Sequence, residues 1–110
     1  MSRKIRVKVE AIRSLAFGSI AAGYTAVGTA LANPSKLIIF DNLTDANIII
    51  SLDGVTDHFI VPAQGFKLID LASNKTDESG FFIAEGTIFY AKREAGAPSS
   101  GNLYIQTIHE

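Results

Sequence analysis

Apolar residues along this chain come in short runs cut by Gly, Pro, Asn and Asp. The clearest stretch is 36–71, KLIIFDNLTDANIIISLDGVTDHFIVPAQGFKLIDL. Four runs, 37–40, 48–52, 58–61 and 66–71, are divided there by Asp41-Asn42-Leu43-Thr44-Asp45, Asp53-Gly54 and Pro62-Ala63-Gln64-Gly65. Runs of about 4 to 8 β-branched, aromatic and aliphatic residues between such turn formers predict an antiparallel sheet rather than alternating helices and strands. Leu37-Ile38-Ile39-Phe40 and Ile48-Ile49-Ile50 are apolar at every position. A strand with one buried face alternates, so these two predict strands covered on both sides, by a second sheet on one and by another subunit on the other.

Upstream, Ile5, Val7 and Val9 alternate with Arg6 and Lys8, which predicts a strand with one cationic face. Residues 14–32 carry no charge and follow this basic start, the order of a secretory leader. Gly18, Gly23 and Gly28 interrupt the apolar run, as do Ser19, Tyr24 and Thr25, whereas a membrane span needs about 20 mostly apolar residues in succession. The segment reads as two strands, 15–20 and 24–31, turning at Ala21-Ala22-Gly23, and Asn33-Pro34-Ser35 ends the pair. Downstream the pattern predicts a polar loop at 72–80, strands at 81–84 and 87–92 around Glu85-Gly86, a Gly/Pro/Ser-rich tongue at 93–101 and a closing strand at 103–108. The expected fold is all-β, a single antiparallel β-sandwich, jelly-roll-like, of about eight to ten short strands.

Composition sharpens this picture in three ways. A chain of 110 residues fits one core, near the usual domain size of roughly 100 to 150. With 47% hydrophobic residues and a mean hydropathy of +0.24, there is apolar material for an interior and for an interface besides. With 0 Cys, disulfides and thiolate metal sites are excluded. The net charge of -1 hides a basic cluster: Arg3, Lys4, Arg6, Lys8 and Arg13 fall among the first residues. No aromatic residue is interleaved with them to stack on bases, so the cluster reads as a solvated edge strand and not as a nucleic-acid surface.

Candidate chemistry is sparse. His58 and His109 stand in no metal-ligand spacing. Ser51, Asp53 and His58 lie within one hairpin without a nucleophile-elbow pattern around the serine. Asp41, Asp45, Asp53 and Asp57 offer oxygen ligands for Ca²⁺, but the glycine and distal glutamate of an EF-hand loop are missing, so they read as turn formers. Asn42-Leu43-Thr44 and Asn74-Lys75-Thr76 match the short glycosylation sequon, and the glycines form no phosphate-binding loop. No catalytic residue, cofactor or metal is expected.

Several segments resemble small virion structural proteins of tailed bacteriophages. They are Arg13-Ser14-Leu15-Ala16-Phe17-Gly18-Ser19-Ile20, Tyr24 with Gly28, the Asn33-Pro34 break, Asn42-Leu43-Thr44-Asp45 and Ile50-Ser51-Leu52-Asp53-Gly54. Val61-Pro62-Ala63-Gln64-Gly65, Asp70-Leu71, Gly86-Thr87-Ile88 and Ser100-Gly101-Asn102-Leu103-Tyr104-Ile105 continue the likeness. The resemblance implies a β-sandwich assembled in many copies in the virion, as a neck or connector component at the head-to-tail junction, or as a capsid-decorating protein. Its partners would be portal, neck or major capsid proteins and further copies of itself, with no membrane and no nucleic acid. A carbohydrate- or receptor-binding module of a tail structure is the alternative from another class. That reading needs exposed aromatic residues, and the chain has 0 Trp, 3 Tyr and 7 Phe, most of them in strand positions. For a multi-copy structural protein, the expected subunit contacts are the basic amino-terminal strand (Arg3, Lys4, Arg6, Lys8) and the tongue with its approach (Lys92, Arg93, Glu94, Pro98).

Overall fold

Hydrogen bonds between short β-rich runs build two antiparallel sheets, seen in a computed structural model that describes residues 8–71 and 83–109. Among the described residues the strands are β1 (Lys8–Val9), β2 (Arg13–Ala16), β3 (Thr25–Val27), β4 (Leu37–Asn42), β5 (Ile48–Ser51), β6 (Phe59–Val61), β7 (Phe66–Asp70), β8 (Phe89–Arg93) and β9 (Asn102–His109). One sheet has the order β1-β9-β4-β7, with β2 also on β9; the other is β3-β8-β5-β6. The pairing is nested, β2 with β9, β3 with β8, β4 with β7 and β5 with β6, as if one long hairpin had been rolled up. That is jelly-roll connectivity, so the expected antiparallel β-sandwich is the observed fold.

Several predicted boundaries shift, each for a local reason. The strand expected at 15–20 starts earlier, at Arg13, and gives way to a 3-10 turn, Phe17–Ser19, closed by the Ile20 N–H on the Phe17 carbonyl. The strand expected at 24–31 is only Thr25–Val27, because Gly28 takes a positive φ of 71° and turns the chain over the Arg13 side chain. At 81–84 the described part is Ile83 and Ala84, and of these Ile83 makes an isolated bridge with Ser35. The loop expected at 72–80 and the first residues of the basic strand lie outside the described residues.

β1 and β2 share one edge of β9 in different registers: Val9 stands opposite Ile108 and Arg13 opposite Ile105. Residues 10–12 therefore face only Gln106 and Thr107, an extra residue of the kind a bulge absorbs. The offset lets Glu10 turn back to Arg13 and to the 30–33 segment, where Asn33 donates through both its backbone N–H and its amide.

The core lies between the sheets around Phe40, fully buried, with Phe89 edge-on at 5.8 Å and Phe59 tilted at 5.6 Å. Ile38, Ile48, Ile50, Val61, Leu103 and Ile105 fill the space about them. Each such side chain contributes roughly 1.5–3 kcal/mol by leaving water. Burial alternates along β4 and nearly so along β5, so the wholly apolar runs have just one face covered by the chain itself. Leu37, Ile39 and Ile49 stand half-buried on the outside.

Candidate interaction surface

The residue types that resemble a hydrolase set are consumed by a turn. The Ser51 hydroxyl donates to Asp53 Oδ1 at 2.8 Å and accepts from the Asp53 and Gly54 N–H groups. Asp53 also accepts from the N–H groups of Val55 and Thr56, both at 2.8 Å. Backbone donors from Thr56 and Val55, with the Ser51 hydroxyl, hold the Asp53 carboxyl well below the ordinary carboxylate range. His58 accepts the Leu52 N–H at 3.0 Å on Nδ1 and so closes the same loop. The other acidic turn residues are dispersed. Asp45 binds the Ser99 N–H and hydroxyl, Asp57 binds the Tyr24 hydroxyl and Lys92, and Asp41 lies in β4. Among the described residues no three His, Asp or Glu side chains converge to hold a metal.

The first sequon is equally internal. Asn42 is fully buried: its amide donates to the carbonyls of Ala46 (2.8 Å), Val61 (3.0 Å) and Pro62 (3.1 Å). Its Oδ1 accepts from the Thr44 N–H and hydroxyl. A side chain so bound cannot accept a glycan in the folded chain. The second sequon lies outside the described residues.

Of the expected contact residues, Arg3, Lys4 and Arg6 lie outside the described residues, and Lys8 is exposed in β1. Lys92 is engaged in its own sheet, 3.1 Å from Asp57 and with its ammonium 4.7 Å above the Tyr24 ring. That cation covers one face of the ring. Burial and the bond to Asp57 push the Tyr24 hydroxyl up to about 12. Arg93 ends β8, its N–H on the Ala21 carbonyl, and Glu94 is bonded to Asn47 through backbone and side chain. Pro98 is buried. The tongue is thus not free. Ser99 is tied to Asp45, and Gly101 at φ 89° packs so closely on Leu43 that a Cβ would sit 2.1 Å from its carbonyl oxygen.

What remains open is the outer face of the β1/β2-β9-β4-β7 sheet. Register sets its side chains in three rows across the strands. The first is Val9, Ile108, Leu37 and Asp70; the third is Ser14, Tyr104, Asp41 and Phe66. Between them lie Gln106, Ile39 and Leu68, and carrying the β2 register one residue back puts Ile12 beside Gln106. Phe66 is 68% exposed, Val9 65%, Ile12 57% and Leu68 50%. No family model, curated protein or solved structure matches this chain. Sequence reasoning missed Ile12, Phe66 and Leu68 as surface residues. The signal was the alternation Phe66, Leu68, Asp70 against Lys67 and Ile69, but a period of two does not say which side is the core.

Hollows also lie elsewhere among the described residues. One of about 200 Å³ lies over Ile49, Asp57, His58 and Ile60, below the roughly 300–1,000 Å³ of ordinary ligand sites. A groove of about 410 Å³ runs along Glu10–Ser14 and Gly28–Ala32. Arg13 donates through Nη2 to Glu10 at 2.8 Å and to the Ala30 carbonyl, and through Nε to the Thr29 carbonyl, while its Nη1 is buried without a hydrogen-bond partner. Burial raises the Glu10 carboxyl, but the bonds from Arg13, Asn33 and Ala32 outweigh it and hold the group below its usual value.

Proposed function

We propose that the chain is a non-enzymatic structural protein of a tailed-bacteriophage virion, assembled in several copies at the head-to-tail neck. The observation that carries this reading is the exposed apolar outer face, with Phe66, Leu68, Ile12 and Val9 each half or more accessible on a sheet whose other side packs on the core through β4 and β9. Patches of this kind mark contacts between proteins. The resemblance in the sequence supplies the setting, and the jelly roll is an architecture that recurs in viral capsid proteins, though also in lectins, so the fold alone does not choose. The lectin-like reading is the weaker: the Tyr24 ring is capped by Lys92, Tyr90 packs under Gly54, and the exposed Phe66 lies with Tyr104 on an open sheet face and not in a groove.

The test is binding of the purified chain to isolated portal rings, to assembled capsid shells and to a glycan panel. Association with portal rings, lost in Leu68→Asp, is the expected outcome. Association with shells alone moves the protein to the capsid surface, and glycan binding by a lone chain overturns the proposal.

A further inference from the structure

The exposed sheet face is self-complementary in one orientation. Two sheets pack face to face at about 10 Å, and a two-fold axis lying between them can run along the strands or across them. Along the strands, β4 of one copy lies over β9 of the other, and β7 over the β1/β2 edge. Leu37 then meets Ile108, and Leu68 meets Ile12. Asp41 meets Tyr104, whose oxygen already accepts the Asn102 amide at 2.9 Å and whose proton is left to donate. Asp70, at a corner of the face, meets Val9. Across the strands, Asp41 would instead be pressed on Leu37 and Asp70 on Phe66, so both carboxylates rather than one would meet apolar side chains, which is the costlier arrangement.

The geometry points to a second copy of this chain as the occupant of the face, in an isologous pair whose axis runs along β4 and β9, with Leu68 over Ile12 and Asp41 receiving the Tyr104 hydroxyl of its mate. This rests on the assembly reading above and adds its partner and its orientation. The size fits. Strands of 8, 6 and 5 residues, with the 2 and 4 of β1 and β2, at about 3.4 Å per residue and about 4.8 Å apart, give about 400 Å² in plan. Side chains standing off the pleat bring the accessible area toward the roughly 800 Å² that each partner of a stable pair covers.

The chain has 0 Cys, so introduced thiols report cleanly. Sedimentation of the full chain should give about twice 11.8 kDa, and Leu68→Asp, exposed in the single copy, should halve that mass with an unchanged circular-dichroism spectrum. A short bis-maleimide should link an equal mixture of Ile12→Cys and Leu68→Cys chains, and neither variant alone. A full chain of single mass overturns the inference, as does linking within Leu68→Cys alone, which marks the axis across the strands. A single-mass chain that still binds portal rings removes this inference and leaves the proposed function standing. A linked pair that binds neither portal, neck nor capsid protein does the reverse.

Discussion

Single side chains here do work that their residue type alone would not assign. Asn42 joins the carbonyls of Ala46, Val61 and Pro62 and accepts twice from Thr44, so it acts as an internal rivet between β4 and the end of β6. Asn42→Ala strands those groups in the interior. Each buried group left without a partner costs about 1–3 kcal/mol. The expected loss, on the order of 3 kcal/mol, is measured by urea denaturation. The Glu10–Arg13 pair makes a pH prediction. Its carboxyl titrates lower in the folded chain than in the unfolded one, so the unfolded chain binds the proton first as pH falls. The stabilisation is fully present above the ordinary carboxylate range and disappears as pH drops through the lowered folded value. Glu10→Gln should flatten that part of the pH dependence and leave Arg13 buried without its counter-charge. Thermal unfolding of both proteins across the acid range checks this.

At the scale of elements, the turns hold the strands in place as firmly as the strands hold each other. The 93–101 segment shows this best: Ser99 reaches Asp45, the Leu43 N–H reaches the Asn102 carbonyl, and Gly101 lies against Leu43 with left-handed geometry. Gly101→Ala forces a Cβ into a backbone oxygen at a strained φ, and the expected loss is on the order of 3–5 kcal/mol, read as a fall in melting temperature. The Tyr24, Asp57 and Lys92 cluster makes a milder prediction. Because the folded hydroxyl titrates at about 12, its contribution is present below the free value of about 10 and disappears between the two. Tyrosinate absorbance in Asp57→Asn should show one tyrosine titrating earlier than in the parent. These elements also mark what could be read from sequence. Runs such as 37–40 and 48–52 announce strands because β propensity and turn residues are local. The tie that fixes the tongue was not legible, because Gly, Pro and Ser report a turn, while the tie joins residues 45 and 99. The outward face of β7 was hidden for the same reason, since only pairing with β4 tells which parity meets the core.

Across the whole molecule, nested pairing makes the fold depend on its final strand. β9 pairs with β1, β2 and β4, so one sheet has no centre until the last residues arrive, and its partners in β1 and β2 lie at the other end of the chain. Closing loops of that length must precede the burial that offsets their entropy, so the transition state is reached slowly. Refolding from urea should take milliseconds to seconds, in the range of β-sandwiches and not of helical bundles. A chain that stops after Gly101 lacks β9 and leaves Phe40, Ile38 and the inner side of β2 without the residues that cover them. It should show no cooperative unfolding transition and should aggregate through the open edge of β4. Ile105→Ala, at the middle of β9 and fully buried, removes only side-chain packing and should cost about 2–5 kcal/mol while the transition stays cooperative. Comparing these two variants by calorimetry separates the need for the strand from the need for its core contacts. A truncated chain that still melted as one unit would mean that β1 to β8 hold together without their central partner, against the nested topology described here.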